Sequence, residues 1–149
     1  MSHSMIHGTL PAALTLSLLG YASCAVAGEA FTGIWTIDLR TQSERQSGAE
    51  CGTANFVLTQ TGDAINGSQS MATVSCGRLN EGSPVRGVVV GSTAVLIVTS
   101  GRHGAIVMGT AKLSKGKLQW RQVDEIRPGD SEADSPLILA HGSLMRVRR

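Results

Sequence analysis

Aromatic side chains are scarce in this chain: 3% of 149 residues, comprising two Trp, one Tyr and two Phe. Sites for sugars and nucleobases stack their ligands on aromatic faces, so this scarcity weighs against both. Charge of one sign is also lacking. The formal net charge is +2, too small to draw in nucleic acid. The terminal Arg146-Val147-Arg148-Arg149 is basic only locally and has the composition of a solvated tail. No apolar run reaches the roughly 20 residues that span a bilayer as a helix. No nucleophile elbow, Ser–His–acid spacing or His-Glu-x-x-His occurs. Beyond residue 27 there is no sustained 3.6-residue periodicity, which removes helical bundles from consideration.

What is present begins with an export signal. Leu10-Pro11-Ala12-Ala13-Leu14-Thr15-Leu16-Ser17-Leu18-Leu19 is an apolar core too short for a span, and Ala25-Val26-Ala27 is a small-x-small cleavage site. Residues 1–27 are therefore expected to be a signal peptide and residues 28–149 a single domain. The expected location is the periplasm or the exterior. The n-region departs from the pattern by carrying His3 and His7 where Lys or Arg is usual. An alternative is a lipoprotein acylated at Cys24 in Tyr21-Ala22-Ser23-Cys24, although Tyr21 stands where such signals prefer Leu.

Loss of the signal leaves Cys51 and Cys76. An even pair in an exported chain predicts a disulfide. Closing a loop of about 26 residues would remove roughly 3–4 kcal/mol of unfolded-state entropy. Nothing resembles Cys-x-x-Cys, so the bridge is expected to be structural.

The mature region reads as β-branched segments separated by glycine-containing turns, the pattern of sandwiches and barrels. Strands are expected at 31–39, 54–61, 64–71, 84–90, 94–99, 104–113, 117–125 and 136–147. Turns are expected at Gly62-Asp63, Gly91-Ser92, Ser100-Gly101-Arg102-His103-Gly104 and Ser114-Lys115-Gly116. Most strands then pair with their sequence neighbours, giving an all-β, antiparallel eight-stranded meander. Cys51 and Cys76 would meet at the mouth of the hairpin turned at Gly62-Asp63, within disulfide reach. Two connections are long: polar residues 40–53, with room for a short helical turn, and the acidic, mobile loop 126–135. Long loops on a rigid β scaffold commonly carry function.

Gly33-Ile34-Trp35 resembles the Gly-x-Trp of the first strand of calycins, the group that holds lipocalins and avidins. Leu144-Met145-Arg146 resembles the last-strand segment whose arginine packs over that tryptophan in lipocalins. The resemblance implies a closed barrel with Trp35 as a floor plug under Arg146, a guanidinium on an indole face. Asn66-Gly67, Arg86-Gly87 and Met108-Gly109 suit the tightly coiled strands of such a barrel. The chain departs from avidins in having only Trp120 left to line an interior, and from lipocalins in lacking length for a C-terminal helix. An interior filled by Leu96, Val98, Val88 and Val90 fits an eight-stranded barrel.

Arg102 and His103, at the tip of the 100–104 turn, and Trp120 are the candidate binding residues. The histidines have plainer roles, His103 as an exposed turn residue and His141 as an ordinary strand residue. Two lone histidines beside a disulfide make a poor zinc set, so no metal or cofactor is expected. Asp124, Glu125, Asp130, Glu132 and Asp134 could be offered as hydrolase carboxylates, but the aromatic platforms of glycosidases are missing and adjacent loop acids usually only solvate a loop. The middle strands, Val88-Val89-Val90 and Thr93-Ala94-Val95-Leu96-Ile97-Val98, are apolar on both faces. That predicts cover for their outer face by a loop, another subunit or a partner. The expectation is an exported, non-enzymatic module that engages another envelope protein in the manner of an inhibitor. The alternative is a carrier of a small apolar ligand, and a hydrolase stands third.

Overall fold

The computed structural model describes residues 29–131 and 135–148. Residues 1–27, the expected signal peptide with Cys24, and the acids Glu132 and Asp134 lie outside the described residues.

Eight antiparallel strands form a closed barrel in sequence order, each paired with its neighbours and the last with the first. They are β1 (Gly33–Asp38), β2 (Cys51–Thr61), β3 (Ala64–Val74), β4 (Leu79–Val90), β5 (Thr93–Thr99), β6 (Ile106–Ser114), β7 (Lys117–Arg127) and β8 (His141–Arg146). The period-2 rule sorts each strand into an inner and an outer set. In β5, Ala94, Leu96 and Val98 point inward and are buried, while Thr93, Val95 and Ile97 are half-buried on the outer face. Inward residues of every strand meet in one core that includes Trp35, Phe56, Leu96, Val107, Leu118, Trp120 and Leu144. Phe56 and Trp120 lie at its centre, ring centroids 5.1 Å apart and tilted by 50°, a favourable aromatic arrangement.

Close strand coiling depends on missing side chains. A Cβ on Gly67 would lie 2.0 Å from the Val57 carbonyl oxygen, and one on Gly109 would lie 2.3 Å from the Trp120 ring. Glycine is the residue that lets a neighbouring strand or a large ring come that near.

Two ends result. The turn end holds the tight connections after β2, β4 and β6 and the crossing of β1 with β8. The loop end holds residues 39–50, 75–78, 100–105, 128–131 and 135–140. The Cys51–Cys76 disulfide lies at the loop end, with Cα atoms 5.3 Å apart, joining the mouth of the β2–β3 hairpin. The 40–53 connection carries one short helix, α1 (Gln42–Gln46), started by a capping box between Thr41 and Glu44.

Three expectations are corrected. Val88 and Val90 do not fill the barrel: they are 46% and 64% exposed, because the inward residues of β4 are Ser83, Val85, Gly87 and Val89. A run of valines carries no phase of its own, and the pairing Val85↔Val98 sets it. Nor does a loop cover that outer face, since those two valines stay exposed. The third concerns 136–147, which is a strand only from His141. Before it, Leu137 takes a positive φ of 47°, and Leu137, Ile138 and Leu139 fold into the mouth as a buried strap. β3 and β4 also run further than their composition suggests, to Val74 and back from Leu79.

Candidate functional site

Trp35 behaves as a floor plug. It is 2% exposed, its indole N–H donates to Phe31 O at 2.9 Å, and the Arg146 guanidinium lies 4.6 Å from the ring centroid. The same guanidinium donates to Ala30 O and Thr32 O at 2.6 and 2.8 Å. Arg146 thereby staples the entering chain to the last strand.

The opposite end is built differently. Four polar side chains, Gln69, Asn80, Ser83 and Ser100, are buried on the inner faces of β3 and β4 and just beyond β5. Asn80 Nδ2 donates to the carbonyls of Pro136 and Leu137 at 2.9 and 3.1 Å. Ser100 Oγ donates to Pro136 O at 2.9 Å, and Ser83 Oγ to Asn80 Oδ1 at 3.0 Å. These bonds hold the strap whose three apolar side chains close the mouth. Gln69 Oε1 is fully buried with no hydrogen-bond partner, an uncommon condition in a core.

The 100–105 loop is braced against residues 127–130. Asp130 N donates to His103 O at 3.0 Å, and Arg127 Nη2 to Gly104 O at 3.1 Å. His103 Nδ1 accepts from Ala105 N at 3.3 Å. Its ring lies so close to Gly129 that a Cβ there would come within 1.7 Å. His103 is therefore half-buried, not an exposed tip. Arg102 is exposed and donates from Nη1 to Leu79 O at 2.6 Å. The two loops form one rim on which Arg102 and Arg127 are exposed cations. Trp120, the third candidate residue, is elsewhere: it is 2% exposed within the core, and its indole N–H donates to Leu139 O at 2.6 Å.

Also at the loop end, Asp38 receives the Arg40 guanidinium at 2.9 and 3.0 Å. That bond, with the Arg40 backbone N–H, lowers the Asp38 carboxyl from 3.8 to about 2. Glu44 is lowered as well, chiefly by the Thr41 backbone N–H of the capping box.

An open groove of about 1140 Å³ runs over the outer faces of β6, β7 and β8, edged by Lys112, Arg121, Asp124, Glu125 and His141. It arises because β8 pairs with β7 only as far as Arg121, while β7 continues to Arg127. Register shifts against β6 leave Val123 and Ile126 as extra residues of β7, both turned to solvent. Among the described residues, no group of three or more His, Cys, Asp or Glu is placed to hold a metal ion. Nor is any helix there long and apolar enough to cross a membrane.

The strap and its polar anchors escape a sequence reading, because Asn80, Ser83 and Ser100 look like ordinary turn residues. The available signal is their phase: Ser83 shares the inward parity of Val85, and Pro136 interrupts the strand pattern before Leu137.

The fold defines an all-β, eight-stranded antiparallel barrel, consistent with a calycin-like architecture. Compared with protein-family models, curated protein sequences and solved structures, the chain matches none.

Proposed function

We propose that the protein is an exported, non-enzymatic binding module of calycin-like type that engages another envelope protein through the rim of its loop end. The observation that supports this most is the bracing of the 100–105 loop by residues 127–130, which presents Arg102 on a rigid edge. Rigid presentation lowers the ordering cost of association. A disulfide-closed hairpin at the same end is compatible with an oxidising compartment. The carrier alternative draws on one feature, the unpaired Gln69 Oε1 inside the barrel. Against it stands a core already occupied by Phe56, Leu96 and Trp120 and closed by Leu137–Leu139.

The test is capture from an envelope extract on immobilised residues 28–149, followed by affinity measurement with the captured protein once purified. Arg102→Glu should weaken that affinity about tenfold or more while leaving the melting temperature near that of the parent. Unchanged affinity would remove the rim from consideration. A small molecule retained in native mass spectrometry, and indifferent to Arg102→Glu, would favour the carrier.

A further inference from the structure

The barrel is electrically polarised along its axis. At the turn end stand Lys112, Lys115, Lys117, Arg146 and Arg148, opposed only by Glu29 and Asp63 among the described residues. At the loop end carboxylates outnumber arginines, with Asp124, Glu125 and Asp130 joining Asp38, Glu44, Glu50 and Glu81. The small net charge of the chain conceals this separation.

The basic end is an organised surface. Arg148 is not on a loose tail, because Val147 N donates to Ile34 O at 2.8 Å and Arg146 is held on Trp35. Met145 and Val147 stand among the cations, 53% and 42% exposed. Lys117 pairs with Met145 across β7 and β8, so their side chains share one face. Between the β6–β7 turn and the end of β8 is a concavity of about 360 Å³. Its walls are Ala30, Trp35, Leu113 and Met145, and its cationic edge is Arg146 and Arg148. An apolar floor under a guanidinium edge suits an amphiphile whose anionic head remains at the edge.

Chain direction points the same way. Glu29 and Ala30 lie at this end, fixed by Thr32 N to Glu29 O at 2.9 Å and by Arg146 to Ala30 O at 2.6 Å. Under the alternative reading, in which Cys24 is acylated, the anchor would stand five residues before Glu29 in sequence, on the chain that leads into this end.

We infer that the turn end is a docking surface for an anionic phospholipid bilayer, with Lys115, Lys117 and Arg148 at the headgroups and Met145 and Val147 against the interface. Docked in this way, the barrel directs its loop end away from the membrane. Each Lys or Arg near an anionic surface contributes roughly a factor of five in binding, and salt weakens the attraction.

The barrel closes and carries its own core within residues 31–147, so residues 28–149 can be tested without an anchor. Their binding is measured by co-sedimentation with phosphatidylcholine vesicles, with and without about one-third phosphatidylglycerol, at low ionic strength. Binding is expected only to the anionic vesicles. Lys115→Gln with Lys117→Gln should reduce it about 25-fold. Arg45→Gln with Arg121→Gln removes the same charge elsewhere and should leave it unchanged. No binding to anionic vesicles, or equal loss in the two pairs, overturns the proposal. Displacement by millimolar inorganic phosphate at constant ionic strength also overturns it, reassigning the concavity to a free anion. The loop-end reading fails separately, since partner capture that depends on Arg102 does not involve the turn-end lysines.

Discussion

Replacing Asn80 with Ala should release the strap that closes the barrel mouth. Asn80 is 2% exposed and makes three bonds: two from Nδ2 to Pro136 O and Leu137 O, and one accepted from Ser83 Oγ. Pro136 O retains Ser100 Oγ, and Ser83 Oγ still accepts from Gly101 N. Leu137 O, by contrast, loses its Asn80 donor in a buried setting. At about 1 kcal/mol net for each bond, with a further penalty of about 1 kcal/mol or more for the stranded carbonyl, the loss comes to about 3–4 kcal/mol. For a domain of this size that is a fall in melting temperature of about 10–15 °C.

Urea unfolding gives the free energy, and amide exchange at Leu137, Ile138 and Leu139 locates it. Faster exchange should be concentrated there if the strap opens before the barrel does. Asn80→Asp supplies a signed control. It places a carboxylate against two carbonyls, which raises its pKa above the unfolded value. That variant should therefore be more stable in acid, where the carboxyl again has a proton to donate, and should lose that advantage as pH rises through the raised pKa. A loss below about 1 kcal/mol for Asn80→Ala, with exchange in the strap unchanged, would refute the role given to these bonds.

Removing the bridge with Cys51→Ala and Cys76→Ala should cost about 3 kcal/mol for a separation of 25 residues, read from the urea midpoint. Arg146→Ala should cost about 2 kcal/mol, through the lost indole contact and the bonds to Ala30 and Thr32, and Arg146→Lys should recover only part because a point charge cannot hold both carbonyls while stacking. Asp38 should titrate by NMR near 2. Its folded pKa lies below the unfolded value, so its stabilising effect is complete above about pH 4 and is lost as pH falls towards 2. Asp38→Asn should flatten that part of the acid-stability curve.

Much of the architecture is legible before folding. β-branched runs separated by Gly62-Asp63, Gly91-Ser92 and Lys115-Gly116 impose eight short strands and a meander, because each turn returns the chain beside its predecessor. Cys51 and Cys76 lie at similar distances on either side of Gly62-Asp63, so their pairing follows from the hairpin. Trp35 and Arg146 could be matched through the resemblance to calycins, and the pairing of β1 with β8 brings them together.

Tertiary structure decided the rest, for a common reason: local sequence does not carry phase or long-range partners. Val88 and Val89 are chemically identical, and only the ladder to β5 sends one out and the other in. Pro136–Ala140 has the composition of a strand. It became a strap because Asn80 and Ser100, distant in the chain, take its carbonyls and because Leu137 turns with a positive φ. Polarisation is also a product of folding. Lys112, Lys115 and Lys117 stand at the β6–β7 hairpin, and the pairing of β8 with β7 brings Arg148 to the same end. In the linear chain their charges are offset by Asp124, Glu125 and Asp130, and in the barrel those three acids lie towards the far end. Residue order determined that there would be a barrel; closure of that barrel determined which end is basic.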